Sequence, residues 1–255
     1  MSSTTKGQKM TKVLITGGPT NEYIDDVMKI TNMATGKTAI ELASRFSAFA
    51  DVTVVGSALL HQGHIFNNVR HIPVETTAEM RAALEHEQGG GYNMVIHSAA
   101  VADYYSEFSF TLEDMADEIA AAVKEGKIKN NADVLKIMTN PQKKILSNTK
   151  ISSVEENLTI KLGLTPKIIA ELRKWFPEAI LVGFKLLSKV SQKELFDAAT
   201  ELCRKNKMDY IIANDLSVLK TGFREGHLVT ADGYQGKDFT SNREIFEFLD
   251  TLLAH

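Results

Sequence analysis

Apolar and polar positions along this chain fall into two periods. The run Val13-Leu14-Ile15-Thr16 reads as a buried strand, and Gly36-Lys37 opens a segment whose apolar positions Ile40, Leu42, Ala43 and Phe46 suit one face of a helix. A long polar loop joins them. Asp51–Val55 and His71–Val74 read as strands, followed by a helix over Thr77–Glu87 with Thr77 as N-cap and Met80, Ala83 and Leu84 on one face. Gly89-Gly90-Gly91 stops that helix. Asn93–His97 then leads into Ala99–Asp103, a strand running into a loop. This alternation predicts an α/β fold with a doubly wound sheet, whose ligands are met at the carboxyl ends of parallel strands.

From Tyr105 to Thr149 the pattern changes. Leu112–Lys124 has helical spacing with acidic residues early and a lysine last, and Ala132–Met138 and Pro141–Leu146 read as two further short helical pieces. A stretch of this length is expected to be an insertion or a lid. Asn157–Leu162 alternates as a strand, and Thr165-Pro166 caps a helix running to about Trp175. Ala179–Phe184 is a continuous apolar strand, followed by a helix over Ser191–Asn206 and a strand over Asp209–Ala213. His227–Thr230 with Asp232-Gly233 suggests a hairpin, and Asn242–Leu253 a closing helix. No linker argues for separate domains. Residues 1–10 are expected to be a disordered tail and 11–255 a single domain.

Composition narrows the class. A formal net charge of −3 over 255 residues supports neither a nucleic-acid-binding surface nor a polybasic membrane patch. No run approaches the ~20 apolar residues that span a bilayer. The single cysteine, Cys203, forms no intramolecular disulfide, so a reducing, cytoplasmic location is expected and the thiol reads as core. His61 and His64 lie three apart without neighbouring Cys or His partners, so no zinc site is expected there. His97 reads as a histidine satisfied at a sheet end.

The chemistry concentrates in Thr16–Lys37, TGGPTNEYIDDVMKITNMATGK. Gly17 and Gly18 remove Cβ where backbone N–H groups can approach an anion, and the helix start near Gly36 adds free donors and a positive dipole end. Both favour phosphate. Two better-known motifs fail. Gly36-Lys37-Thr38 resembles the end of a P-loop, but the first glycine would fall at Thr31. The dinucleotide fingerprint G-x-G-x-x-G cannot be completed from Gly17 or Gly18, and no tyrosine is followed four residues later by lysine.

The loop resembles instead the signature of the phosphopantothenoylcysteine synthetase family, close to ITxGGTxExIDxVRxITNxSSGKxG; here it reads ITGGPTNEYIDDVMKITNMATGKTA. Further matches follow in the family's order. They are HSAAVADY at His97–Tyr104, KISS at Lys150–Ser153, TPKII at Thr165–Ile169, VGFK at Val182–Lys185 and IIANDLS at Ile211–Ser217. The resemblance spans Ile15 to Ser217. It implies a Rossmann-like, mostly parallel sheet with helices on both faces and a helical or flexible insertion at 105–149. It also implies a cytoplasmic homodimer that joins 4′-phosphopantothenate to L-cysteine in coenzyme A biosynthesis, using Mg²⁺ and a nucleoside triphosphate. CTP is the expected co-substrate and ATP the alternative. Because the motif begins within the first twenty residues, the stand-alone bacterial form is expected.

Residue by residue, the resemblance implies Gly17, Gly18, Thr35, Gly36 and Lys37 as the triphosphate cradle, with Phe184 beside the base and Lys185 and Asn214 near the nucleotide. Asn32 would bind phosphopantothenate and the acyl intermediate. Ala99, Ala100 and Asp103 would admit substrate, with Asp103 also approaching the metal. Lys150, on a flap over 150–156, would stabilise charge in the transition state. On their own, these residues also suit duller roles: a turn asparagine, a capping aspartate, a core phenylalanine, a solvated lysine.

Two departures stand out. Met28 occupies the place of a family arginine, with Lys29 adjacent, and Ala34-Thr35-Gly36 replaces SSG. A methionine cannot clamp phosphate as a guanidinium does. The upstream helix lysine that helps bacterial relatives select cytosine has no fixed counterpart, with Leu202 and Asn206 at the two candidate spacings and Lys205 and Lys207 flanking Asn206. A non-catalytic nucleotide-binding or interaction protein of the same fold is the rival reading.

Overall fold

The computed structural model describes residues 10–61, 68–146, 150–219 and 226–253. The expected tail at 1–10 lies almost wholly outside these residues, as does His64. The chain opens with β1 (Lys12–Gly17), β2 (Asn21–Tyr23), β3 (Lys29–Thr31), α1 (Lys37–Phe46), β4 (Asp51–Gly56), β5 (Val69–Pro73), α2 (Thr77–His86) and β6 (Met94–His97). There follow β7 (Tyr104–Thr111), α3 (Leu112–Lys124), α4 (Asn131–Thr139) and β8 (Leu158–Leu164). The last part holds α5 (Leu172–Trp175), β9 (Ile180–Leu187), α6 (Gln192–Asn206), β10 (Tyr210–Asp215), α7 (Leu216–Leu219), β11 (Gly226–Thr230), β12 (Gly233–Phe239) and α8 (Asn242–Leu253).

These elements fall into two compact units. The first comprises residues 1–20, 33–101 and 167–255, the second 21–32 and 102–166.

In the first unit, the described strands form one eight-stranded sheet in the order β12-β11-β10-β9-β6-β1-β4-β5. Six of them, from β5 through β4, β1, β6 and β9 to β10, are parallel, while β11 and β12 close the edge antiparallel. Numbered among the parallel strands alone, the order is 3-2-1-4-5-6, the doubly wound Rossmann arrangement. Strand alternation sends β1 side chains to both faces. Leu14 packs with Met80 and Leu84 of α2, Leu172 and Trp175 of α5 and Leu195 of α6. Val13 and Ile15 join Leu42, Ala43 and Phe46 of α1 and Ile245 and Leu249 of α8 in the opposite layer. Helices therefore cover both faces, as the sequence predicts.

Several local readings change. The cap of α2 is Thr76, whose hydroxyl accepts from the Glu79 N–H in a capping box; Thr77 is instead buried, its hydroxyl 3.0 Å from that of Thr20. The helix expected from Thr165-Pro166 is broken into a 3₁₀ turn at Ile168–Ala170 and the single turn of α5. Ala99–Asp103 forms no strand, its ladder contact being one parallel bridge from Ala100 to Pro19. Among the described residues, no helix is long and apolar enough to cross a membrane.

The second unit is built on β7 and β8, antiparallel along their length, and on the β2–β3 hairpin. The segment expected as an insertion at 105–149 thus begins inside a paired strand. Thr111 caps α3 through the Asp114 N–H, and Asn130 caps α4 in a second capping box. Phe108, Phe110 and Met115 make a small core, with Ile119 and Ile137 against it. Pro141–Leu146 is not helical. Ile145 exchanges both backbone hydrogen bonds with Ser109 at 2.8 Å, so this stretch adds a bridge to β7.

Candidate functional site

Parallel strands place their carboxyl ends on one sheet edge, and the edge of the first unit gathers Gly17-Gly18 at the end of β1, His97–Ala100 at the end of β6, Phe184-Lys185 in β9 and Asn214 in β10. β1 and β6 are neighbours from which the chain turns to opposite faces, the position where doubly wound sheets open a crevice.

Backbone pairing continues past the ends of these two strands. Ser98 N–H donates to Thr16 C=O at 3.2 Å, Ala100 N–H to Gly18 C=O at 2.9 Å, and Thr20 N–H to Ala100 C=O at 3.3 Å. The Thr16 hydroxyl lies 2.8 Å from His97 Nδ1 and accepts from Ala99 N–H at 3.3 Å. His97 is buried, and its burial pushes the imidazole pKa down to about 4. It is neutral at pH 7 and serves the strand ends, as its sequence context suggests. Ala99 and Ala100 are thereby fixed beside the glycine loop.

The two glycine positions meet in space. Gly18 and Gly36 hold left-handed φ values of 75° and 70°. A Cβ on Gly36 would overlap Leu60 Cδ2 at 2.0 Å and stand 3.2 Å from the Gly18 backbone nitrogen. A Cβ on Gly17 would overlap that of Ala39 at 2.2 Å, which lets α1 pack directly on β1. Gly36 is the N-cap of α1 and contributes no capping side chain. Thr35 is exposed and its hydroxyl sits 3.4 Å from the Lys37 N–H. Lys37 is also exposed, 3.6 Å from Glu41 one turn along the helix. This is a bare-backbone cradle with a positive dipole end and a loosely paired cation, a constellation suited to polyphosphate.

Phe184 is half-buried. β6 ends at His97, paired with Gly183, so Phe184 is the first β9 residue beyond that neighbour. It packs at the margin of the α1/α8 layer, opposite Ile212 in β10. Lys185 follows, partly exposed, and Asn214 is buried at the end of β10.

The remaining sequence-predicted residues belong to the second unit. Asn32 is exposed just after β3, and Asp103 is exposed just before β7. The Asp103 carbonyl accepts from Thr165 N–H at 3.1 Å, and the Thr165 hydroxyl donates to Ala102 C=O. The TPKII threonine therefore secures the AAVAD segment instead of capping a helix. Lys150 is exposed while Ile151 is buried, and 150–156 holds neither helix nor strand.

One residue of this unit was missed. Asp25 is buried at the hairpin tip, its Oδ1 accepting from Val27 and Met28 N–H at 2.7 and 2.6 Å and its Oδ2 from Ile151 N–H at 2.9 Å. The Met28, Ile151 and Val27 donors, in that order, hold its carboxyl below the usual range against the opposing effect of burial, with a smaller contribution from the Lys150 charge. Its place in the ExIDxV segment, before a tight turn, was the available signal. Met28 is 40% exposed and is tied to the hairpin through its backbone: its N–H donates to Asp25, and its carbonyl accepts from Ile24 and Asp25 N–H at 2.9 and 3.3 Å. Among the described residues, no group of three His, Cys, Asp or Glu could hold a metal ion.

Comparison with known proteins gives the family and the fold. The family model for the DNA/pantothenate metabolism flavoprotein C-terminal domain matches residues 8–148 and 111–239. A coenzyme A biosynthesis bifunctional protein CoaBC from Thermococcus kodakarensis is 30% identical over 240 residues, a match covering 93% of this chain and 49% of the relative. The chain spans about half the length of the curated relatives it matches. The crystal structure of the DNA/pantothenate metabolism flavoprotein from Streptococcus pneumoniae superposes with a TM-score of 0.76 at 30% identity, covering 94% of this chain and 97% of that one. A Cab2 variant solved in complex with phosphopantothenate-cysteine shares the fold, with a TM-score of 0.62 at 15% identity over 95% of this chain and 85% of that one.

Proposed function

Because the chain belongs to the DNA/pantothenate metabolism flavoprotein C-terminal domain family, we propose that it condenses 4′-phosphopantothenate with L-cysteine through an acyl-nucleotide, consuming CTP in preference to ATP. The observation that carries this reading is the backbone pairing of Gly18 with Ala100, which sets the glycine cradle beside Ala99 and Ala100 at the crevice of a doubly wound sheet. The naming of curated relatives as coenzyme A biosynthesis proteins supports it.

The reaction begins with two anions that repel. The substrate carboxylate attacks the α-phosphorus of the nucleotide and pyrophosphate leaves; the cysteine amine then attacks the acyl carbon, loses a proton and expels the nucleoside monophosphate. Backbone N–H groups around Gly17, Gly18 and Gly36, the Thr35 hydroxyl and the Lys37 ammonium neutralise the triphosphate. The Asn32 amide donates to the substrate carboxylate without adding charge of its own. Lys150, on a flexible stem, follows negative charge from the carboxylate to the departing phosphate. Phe184 offers a ring to the base, Lys185 adds charge, and Asn214 contacts the nucleotide.

Mg²⁺ bound with the triphosphate would supply charge neutralisation. Asp103 would give it one exposed carboxylate. Activity as a homodimer belongs to the same proposal and is read by sedimentation.

The rival, a nucleotide-binding protein without turnover, draws on Met28, which supplies no guanidinium to the substrate. One experiment separates the two. Purified protein with Mg²⁺, 4′-phosphopantothenate and cysteine is assayed for pyrophosphate with CTP and ATP in parallel. Release that requires phosphopantothenate and yields the cysteine conjugate establishes the ligase, with the faster nucleotide as its co-substrate. Folded protein that binds nucleotide and releases none establishes the rival.

A further inference from the structure

Asp25 does more than its own turn requires. An Asx turn at the hairpin tip needs one carboxylate oxygen, and Oδ1 supplies it through Val27 and Met28. Oδ2 reaches Ile151, 126 residues further along the chain. At Ile151 the chain goes from the exposed Lys150 to a buried side chain, in a segment without helix or strand, so no ladder partner exists for its N–H. The segment's other hydrogen bonds, from Val154 N–H to the Ser152 hydroxyl and from Glu155 N–H to Ser152 C=O, stay within it. The hairpin that holds Asp25 ends at Thr31, one residue before Asn32.

We propose that Asp25 is a positioning residue for Lys150: its carboxylate pins the backbone immediately after the lysine to the hairpin that leads to Asn32. The inference rests on the ligase reading for what Lys150 does, but the anchor itself is a property of the second unit alone. A flexible lysine stem has many rotamers, and fixing the backbone at its base limits the volume its ammonium searches. Misplacement by about 1 Å costs a reaction of this kind about a hundredfold. The carboxylate stays ionised because three N–H donors converge on it, so the anchor is in place across the neutral range.

Asp25→Asn is the nearly isosteric test. The amide oxygen can keep the turn, but the NH₂ then faces the Ile151 N–H, donor against donor. Turnover should fall about tenfold or more with the nucleotide KM held within about twofold. In a Lys150→Ala background, the same substitution should cost less than about twofold, because the group it positions is gone. Equal losses in both backgrounds overturn the proposal. Amide hydrogen exchange gives a readout independent of turnover: Ile151 should be protected in the wild-type protein and exchange about tenfold faster in Asp25→Asn at unchanged Tm. Should Asp25→Asn not fold, the wild-type measurement decides, since exchange of Ile151 at the free-peptide rate removes the anchor. Wild-type protein without turnover overturns the ligase reading and the role of Lys150 with it, while a protected Ile151 amide would still establish the anchor.

Discussion

A β-carbon on Gly36 would stand 3.2 Å from the backbone nitrogen of Gly18. The two glycines are distant in sequence and adjacent at the sheet edge, each in a left-handed conformation that disfavours other side chains. Gly36→Ala is therefore expected to cost about 1–2 kcal/mol for the backbone alone, and the displaced Leu60 adds to this. Thermal unfolding measures the loss. Nucleotide titration should show weaker triphosphate binding, because the methyl group crowds the Gly18 N–H; unchanged affinity would take that N–H out of the cradle.

Lys150 is exposed, so Lys150→Ala should shift stability by no more than about 0.5 kcal/mol. Pyrophosphate release should drop about a hundredfold or more, the range for removing one preorganised transition-state donor. Lys150→Arg, which keeps the charge but changes its shape, should recover part of the rate. A rate within twofold of wild type in Lys150→Ala, measured with saturating substrates, would remove the lysine from the chemistry.

Asn32→Asp sets a carboxylate against the substrate's own. Asn32 is exposed after β3, so the fold should tolerate the change while acyl-nucleotide formation fails by like-charge repulsion. Quenched single-turnover reactions without cysteine measure that intermediate directly. Normal accumulation would assign Asn32 to the turn instead.

His97 predicts an acid dependence of stability. Its folded pKa of about 4 lies below the ordinary 6.5 because the ring is buried. Between those values, the unfolded chain binds a proton that the folded chain excludes, so stability falls as pH falls from 6.5 towards 4, by up to roughly 3 kcal/mol. Denaturant midpoints at pH 7, 5 and 4 would show the slope, and His97→Gln should lack that component of it. Identical slopes in both proteins would mean that the imidazole stays solvated.

The main sheet was legible because its central strands are largely buried and read as apolar runs. Asn242–Leu253, and Leu112–Lys124 with its capping threonine just ahead, carry helical patterning strong enough to fix their ends. Errors arose where tertiary contacts override local signals. Thr165-Pro166 has the form of a helix start, yet the threonine hydroxyl goes to Ala102. Thr77 has a capping side chain, yet Thr76 one residue earlier has Glu79 at the reciprocal position and takes the cap. The glycines, Ala99 and Ala100 were readable as a motif, and their adjacency follows from parallel pairing. Asp25 was not singled out, because a lone aspartate before a turn has a sufficient local explanation and nothing in the sequence pairs it with Ile151.

The buried Cys203 bears on how such a protein lives with its proposed substrate. Its thiol lies 3.1 Å from the Met208 carbonyl, and burial pushes its pKa up to about 11. At pH 7 only about one molecule in ten thousand would hold the thiolate, inside a closed helix–sheet layer. Free cysteine, the proposed substrate, thus meets a buried thiol of raised pKa in place of a reactive thiolate. A maleimide or Ellman titration during turnover would count the small-molecule thiols alone.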